Sequence, residues 1–266
     1  MITIREETIG PERAMEMLKL NTGNRNVKPV WVNRLAESMR KGEWKFNGDT
    51  IRMNGNRLID GQHRLHAIVK SGVHLRTLIV DGLDSSVFDT IDIGKTRTGS
   101  DTLNALGEKN TTTLAATVRI VHNYDEIVKG LATTSFKDSM LDNSDLIHKI
   151  ESYPDIRGSV NRCCGKKNFR AISPAIKAAL HYVFSRIDAT LADEFIRCLE
   201  TGYSEHKKDP FLSFRERIIG MSFGSSKPTR ESTIALAVKA WNKKRAGDQA
   251  TLLRYEPNRE SFPIAK

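Results

Sequence analysis

Residues 50–71, TIRMNGNRLIDGQHRLHAIVKS, constrain the fold more than any other stretch of this chain. Asn54-Gly55 lies between two short apolar–polar runs, and Asn-Gly is the dipeptide that tight hairpin turns favour because it tolerates positive φ. Residues 50–60 therefore read as a β-hairpin. Its second strand runs straight into Asp60-Gly61. The apolar period then changes: Leu65, Ile68 and Val69 share one face of a helix over 62–71. A sheet strand that passes into a helix through one glycine calls for a mixed architecture.

That junction also concentrates polar chemistry. A helix begins with four N–H groups that lack intrahelical acceptors, and its dipole places partial positive charge there. Gly61 is expected to let a ligand approach the backbone without meeting a Cβ. Gln62, His63 and Arg64 open the helix. His63 and Arg64 add donors, and a guanidinium can grip phosphate oxygens in bidentate fashion. Together these make an anion site, and phosphate is the commonest anion to fit one. Asp60 has two readings. It caps the helix, or it holds a metal ion or accepts a proton beside the phosphate, which makes it the catalytic candidate. An ordinary Asp-Gly turn with three polar residues after it would use the same letters, so the flanking strand and helix are what raise the motif above a chance match.

The remaining elements follow from periodicity and punctuation. Residues 2–4 read as a short strand, and Pro11–Leu20 as a helix with Ala14, Met15 and Leu18 inward. Residues 29–41 form a second helix, with Val32, Leu35, Ala36 and Met39 inward and Gly42 as its stop. Residues 75–81 are a strand, and 87–94 fit either a short helix or a strand edge. Gly99–Thr113 is polar and rich in small residues, as at a domain boundary. Beyond it the chain reads as helical to about residue 247. Residues 112–130 put Leu114, Val118, Val121 and Val128 on one face, and Ser173-Pro174 opens a helix with Ile176, Leu180, Val183, Phe184 and Ile187 inward. A capping-box-like start lies at 190–193, a helix from Asp209-Pro210 closes at Gly220, and the last begins near Thr229 with Ile234, Val238 and Trp241 inward. The expected fold is α+β: a mixed domain over 1–105, an all-helical domain over 110–250, and a poorly ordered tail over 251–266.

The function classes that composition excludes are few but clear. With mean hydropathy −0.42 and no apolar run near 18 residues, no membrane span is expected, and the start MITIREETIG does not resemble a secretory leader. Three cysteines without a Cys-x-x-Cys pair suit a reducing, cytoplasmic setting. The net charge of +10 favours a polyanionic partner, with nucleic acid first. Two acid-free clusters are the candidate contacts: Arg162, Lys166, Lys167 and Arg170, then Lys239, Lys243, Lys244 and Arg245. Short charge runs are also the usual dress of a solvated face. Phe169 either stacks on a base or belongs to the core.

Smaller candidates cluster near the junction. His63 and His66 lack a third ligand at metal-site spacing. Asp49, in Asn47-Gly48-Asp49, is either a metal helper or part of a turn. Gly94-Lys95-Thr96 is not a P-loop, because Asp89 stands where the upstream glycine is required. Lys95 and Arg97 instead supply either a second anion contact beside Arg64 or a solvated basic loop. No nucleophile elbow surrounds any serine or cysteine.

The run Leu58–Arg64, with Gly42-Glu43-Trp44 before it and Asp92-Ile93-Gly94-Lys95-Thr96-Arg97 after it, resembles the ParB/sulfiredoxin superfamily. It is most similar to uncharacterised phage and prophage proteins with a ParB N-terminal-like domain. The resemblance covers about the first 105 residues. It implies a phosphate-binding box at Gly61, Gln62, His63 and Arg64. Sulfiredoxins carry a catalytic cysteine where this chain has Gln62, which excludes sulfinic-acid reduction. Partition proteins of the superfamily bind the triphosphate of CTP, and other members are kinases or nucleases. The implied ligand is a nucleoside triphosphate, CTP or ATP, with Mg²⁺ as its companion. The implied protein is phage-type, acts in the host cytoplasm and associates with nucleic acid, DNA first. A nucleotide-dependent phosphotransferase or nuclease on the same box is one alternative, and a non-catalytic DNA-binding or host-interaction module is another. The helix-turn-helix and dimerisation tail of partition proteins are not recognisable in 112–250, which argues against true centromere binding; the oligomeric state stays open, a dimer included.

Overall fold

The computed structural model of the chain describes residues 1–24, 26–84, 87, 97–131, 141–164, 169–223, 228–257 and 259–266. The hairpin forms, with β2 at Thr50–Asn54 and β3 at Arg57–Asp60. Its turn residues are Gly55 and Asn56, one position later than expected, and Gly55 takes φ 52°. The pairing runs Asn54 to Arg57 and Met53 to Leu58, then slips by one so that Arg52 faces Asp60. Strand β4, Leu75–Asp81, lies parallel to β2, and β1, Thr3–Ile9, is antiparallel to β4. The sheet order is β1-β4-β2-β3.

Three helices pack with this sheet: α1 at Pro11–Lys19, α2 at Pro29–Arg40 and α3 at Gln62–Ser71. Ile51, Met53, Leu58 and Ile79 from the strands meet Ala14, Met17, Ala36, Leu65 and Ile68 from the helices in one core. Two details differ from the sequence reading. Strand β1 is seven residues long rather than three, and only Ile9 of it is buried. Its polar sequence TIREETI carries no apolar alternation to announce it. On α1 the inward methionine is Met17, while Met15 is 47% exposed.

The chain divides into two compact units, Met1–Thr96 and Arg97–Lys266. The second holds, among the described residues, eight helices: α4 (Gly99–Ala105), α5 (Thr111–Val128), α6 (Asn143–Ser152), α7 (Ile156–Cys163), α8 (Pro174–Ser185), α9 (Ala189–Thr201), α10 (Pro210–Ser222) and α11 (Arg230–Arg245). The stretch expected to be a boundary therefore contains α4, which joins the helical unit and starts at a capping box between Thr98 and Asp101. Side-chain caps also open α8 at Ser173, α9 at Asp188, α10 at Asp209 and α11 at Thr229. Helix α9 begins before the expected 190–193 motif, and α10 continues through Gly220. The core centres on aromatic rings: Phe184 stacks on Trp241 with centroids 4.2 Å apart, and Phe195 meets Phe211 edge-on at 5.0 Å. Val128 and Ile187, expected inward, are 42% and 39% exposed.

The tail is not loose. Leu253 and Phe262 are buried in the helical core. Trp241 Nε1 donates to the Lys266 carbonyl at 3.1 Å, and the Ala265 N–H donates to Tyr124 Oη at 2.8 Å. Among the described residues, no helix is long and apolar enough to cross a membrane.

Candidate functional site

The strand-to-helix junction is built around Asp60. Its Oδ1 accepts from the Gly61 N–H at 2.6 Å, and its Oδ2 lies 3.3 Å from Arg52 Nη1 and 3.4 Å from Arg64 Nη2. Both carboxylate oxygens are thus engaged. Asp60 does not cap α3, and no side chain caps α3 at all. Its work here is to hold two guanidiniums beside the helix start. Nothing in the sequence singles out Arg52. Pairing counted from an Asn54-Gly55 turn would set Arg52 opposite Arg57; the later turn and the slip in register bring it to Asp60 instead.

Gly61 is needed for a different reason from the one expected. It sits at φ 105°, where a side chain is strained, and an added Cβ would lie 3.1 Å from Ile51 Cγ1 and 3.4 Å from Ile51 Cα. The missing side chain makes room for strand β2, not for a ligand.

Arg64 is the most suggestive group. Its side chain is only 16% exposed, and its Nη1 is buried without a hydrogen-bond partner. A buried donor left unmade costs about 1–3 kcal/mol, more for a charged group, so a native structure rarely tolerates one without a function or a ligand. The other two box residues are structural links. Gln62 is 5% exposed and its Oε1 accepts from Asn21 Nδ2 at 3.0 Å. His63 Nε2 accepts from the backbone N–H of Lys28 at 3.1 Å, which brings the N-terminus of α2 beside that of α3. As an acceptor, that nitrogen is unprotonated and donates nothing to an anion.

The loop between α1 and α2 closes the free edge of β3. Leu58 N–H donates to the Leu20 carbonyl at 2.9 Å, and Asn24 Nδ2 donates to the Leu58 carbonyl at 2.8 Å. Arg57 Nε reaches the Thr22 carbonyl at 3.1 Å. An exposed strand edge would otherwise pair with other chains.

The peripheral candidates fare differently. Asp49 is tied to Asn47, whose Oδ1 accepts from the Asp49 N–H at 2.9 Å, so the turn reading holds. Among the described residues no group of three or more His, Cys, Asp or Glu side chains is arranged to hold a metal ion, and Asp49 has no companion ligands. Lys95, with the 88–96 stretch, lies outside the described residues. Arg97 is exposed at the start of the helical unit, where its carbonyl accepts from Asn143 Nδ2 at 3.4 Å.

The two basic clusters are largely neutralised by acids distant in sequence. Arg162 pairs with Asp193 at 3.1 Å and Glu200 at 3.3 Å. Lys239 binds Glu260, Lys244 binds Asp209 and Glu194, and Lys243 lies 3.9 Å from Asp248. Arg170 and Arg245 are exposed, and Lys166 and Lys167 lie outside the described residues. Phe169 is buried, with the Arg215 guanidinium over its ring at 5.1 Å, so it belongs to the core.

No protein-family model matches the sequence, and neither the curated proteins nor the solved structures yield a significant match.

Proposed function

We propose that the unit Met1–Thr96 is a phosphate-binding domain of ParB/sulfiredoxin-like type that takes a nucleoside triphosphate, CTP or ATP, at the start of α3. The observation that carries this reading is the buried, unpartnered Nη1 of Arg64 at a helix start that no side chain caps. A phosphate oxygen there would satisfy the orphan donor and meet the positive end of the helix dipole. Among the described residues no group of side chains offers a metal cage, so Mg²⁺ would arrive bound to the nucleotide's own phosphates. Asp60 is already occupied by Gly61 and two arginines, which favours binding over phosphoryl transfer or nuclease chemistry.

The protein, on this reading a cytoplasmic one of phage type, also associates with nucleic acid, most directly DNA. Support comes from an uneven charge distribution. Residues 19–70, which build the box and its surroundings, carry eleven Lys and Arg against four acids. Lys239, Lys244 and Arg162 of the helical half are paired with carboxylates and offer little free charge to a polyanion. The first unit is therefore the favoured DNA contact. A melting assay of the full chain against CTP, ATP, GTP, UTP and inorganic phosphate, with and without Mg²⁺, tests the reading. A nucleotide that binds the native state raises the melting temperature with its concentration. A duplex DNA titration in parallel separates nucleotide binding from a plain grip on backbone phosphate.

A further inference from the structure

The helical unit contains a cleft of about 580 Å³ that the phosphate reading does not use. Its lining includes Tyr153, Tyr182 and Arg186, and also Ser159, His181 and Asp193. These last three come from α7, α8 and α9 and stand in line. Ser159 Oγ is 2.8 Å from His181 Nδ1, and His181 Nε2 is 3.4 Å from Asp193 Oδ1. We propose that this Ser159–His181–Asp193 relay is a nucleophilic site for acyl transfer, with a small carboxylic ester as its substrate class.

Several features of the surroundings support the assignment. His181 Nε2 is buried and makes no hydrogen bond; Asp193 Oδ1 lies 3.4 Å away as an ion-pair contact, and its charge favours the tautomer with a proton on Nε2, which leaves Nδ1 to accept from Ser159. The competing hydroxyl, Ser185 Oγ, lies 3.3 Å from the same Nδ1 but commits its proton to the His181 carbonyl. Arg162 in turn donates to Asp193 Oδ1 at 3.1 Å and holds it in place, which gives that arginine a positioning role. Burial lowers the His181 pKa below the usual imidazole value, so the ring is neutral and able to act as a base near pH 7. Ser159 itself is only 4% exposed and forms the inner wall of the cleft. Asp155 and Gly158, from the start of α7, line the same space, and first-turn N–H groups lack intrahelical acceptors. Of the two, Gly158 is the first-turn residue, and its N–H is the donor a developing oxyanion would meet.

The chemistry balances with water as the only co-reactant. Ser159 Oγ adds to the ester carbonyl carbon while its proton passes to His181 Nδ1. The tetrahedral intermediate collapses, the C–O bond to the leaving group breaks, and the alkoxide takes the proton from Nδ1 to leave as an alcohol. Water, deprotonated by Nδ1, then adds to the acyl-serine. Collapse releases the carboxylic acid and returns the proton to Ser159.

The test uses the full-length chain and a fluorophosphonate probe, which phosphonylates activated serines. Labelled sites are mapped by mass spectrometry, and p-nitrophenyl butyrate hydrolysis is followed in parallel. The expected result is a label on Ser159 and ester turnover that Ser159→Ala reduces to background. His181→Gln should slow both by on the order of 100-fold or more. Melting curves check that each variant is folded, and Ser159→Cys, close in size, serves as a second probe of the position through labelling by a thioester-reactive acyl donor. Wild-type protein that is folded and yet takes no label on Ser159 overturns the proposal, as does labelling that persists unchanged in His181→Gln.

Discussion

At the scale of single residues, the junction was legible in type and not in use. The sequence announces Gly61 as a special glycine and Arg64 as a donor at a helix start. It does not reveal that the space beside Gly61 belongs to Ile51, because that depends on how closely α3's first turn approaches β2. Gly61→Ala should therefore destabilise the first unit by about 1–2 kcal/mol from backbone strain alone, with the Ile51 contact adding to it. Urea denaturation of wild type and variant measures this, and equal midpoints would remove the packing argument. Gly61→Val should fail to fold, so loss of binding in that variant says nothing about a ligand. The second prediction concerns acid. Burial lowers the pKa of both His181 and His122, so the folded state binds fewer protons than the unfolded chain near neutral pH. The stability this represents is fully present above about pH 6.5 and is lost as pH falls through the lower folded values. For Asp209, burial pushes the carboxyl up, but hydrogen bonds from Lys244, Ser204 and the Phe211 N–H outweigh it and the net shift is downward. That contribution persists above about pH 4 and disappears below it. Chemical denaturation of the chain from pH 8 to pH 3 should show stability falling in both windows, and a flat profile between pH 7 and pH 5 would contradict the histidine assignment.

Elements were read well where a proline marks the first turn or a long apolar period is unbroken. Pro11, Pro29, Pro174 and Pro210 each mark a first helical turn, and α3 and β4 have the bounds that periodicity assigns them. The failures were features set by partners far away in sequence. Strand β1 has no apolar alternation because its residues are mostly exposed along the sheet edge. The acid-free look of 239–245 disappears once α11 is set beside Asp209, Glu194 and Glu260. The tail looked polar, yet Leu253 and Phe262 are enough to anchor it. Phe262, which packs edge-on against Tyr124 and Tyr255, gives the third prediction. Phe262→Ala should cost the helical unit about 3 kcal/mol, seen as a lower denaturation midpoint. A change within about 0.5 kcal/mol, the usual range for surface substitutions, would mean that the tail contributes nothing to the core.

For the whole molecule, α+β architecture and a helical second half follow from the order of patterns along the chain. The break at 96/97 does not, because the helix Gly99–Ala105 looked like linker until Thr98 and Asp101 capped it. The charge argument also changes at this scale, from isolated clusters to the excess over residues 19–70. If DNA binds on that side, Lys28→Ala and Arg57→Ala should each lower the slope of log K against log salt by about one unit, while Lys239→Ala, already paired with Glu260, should leave it unchanged. The reverse pattern would return DNA to the helical half. The central claim is that Arg64 awaits a phosphate, and titration calorimetry with CTP and ATP tests it most directly, on wild type and on Arg64→Lys. Lysine keeps the charge and loses the fork. The account predicts saturable binding to the wild type and a roughly 10- to 100-fold weaker affinity for Arg64→Lys, from the loss of about 1.5–3 kcal/mol of charge-assisted hydrogen bonding. Equal affinities for the two proteins, or no binding of either nucleotide by the wild type, would contradict it.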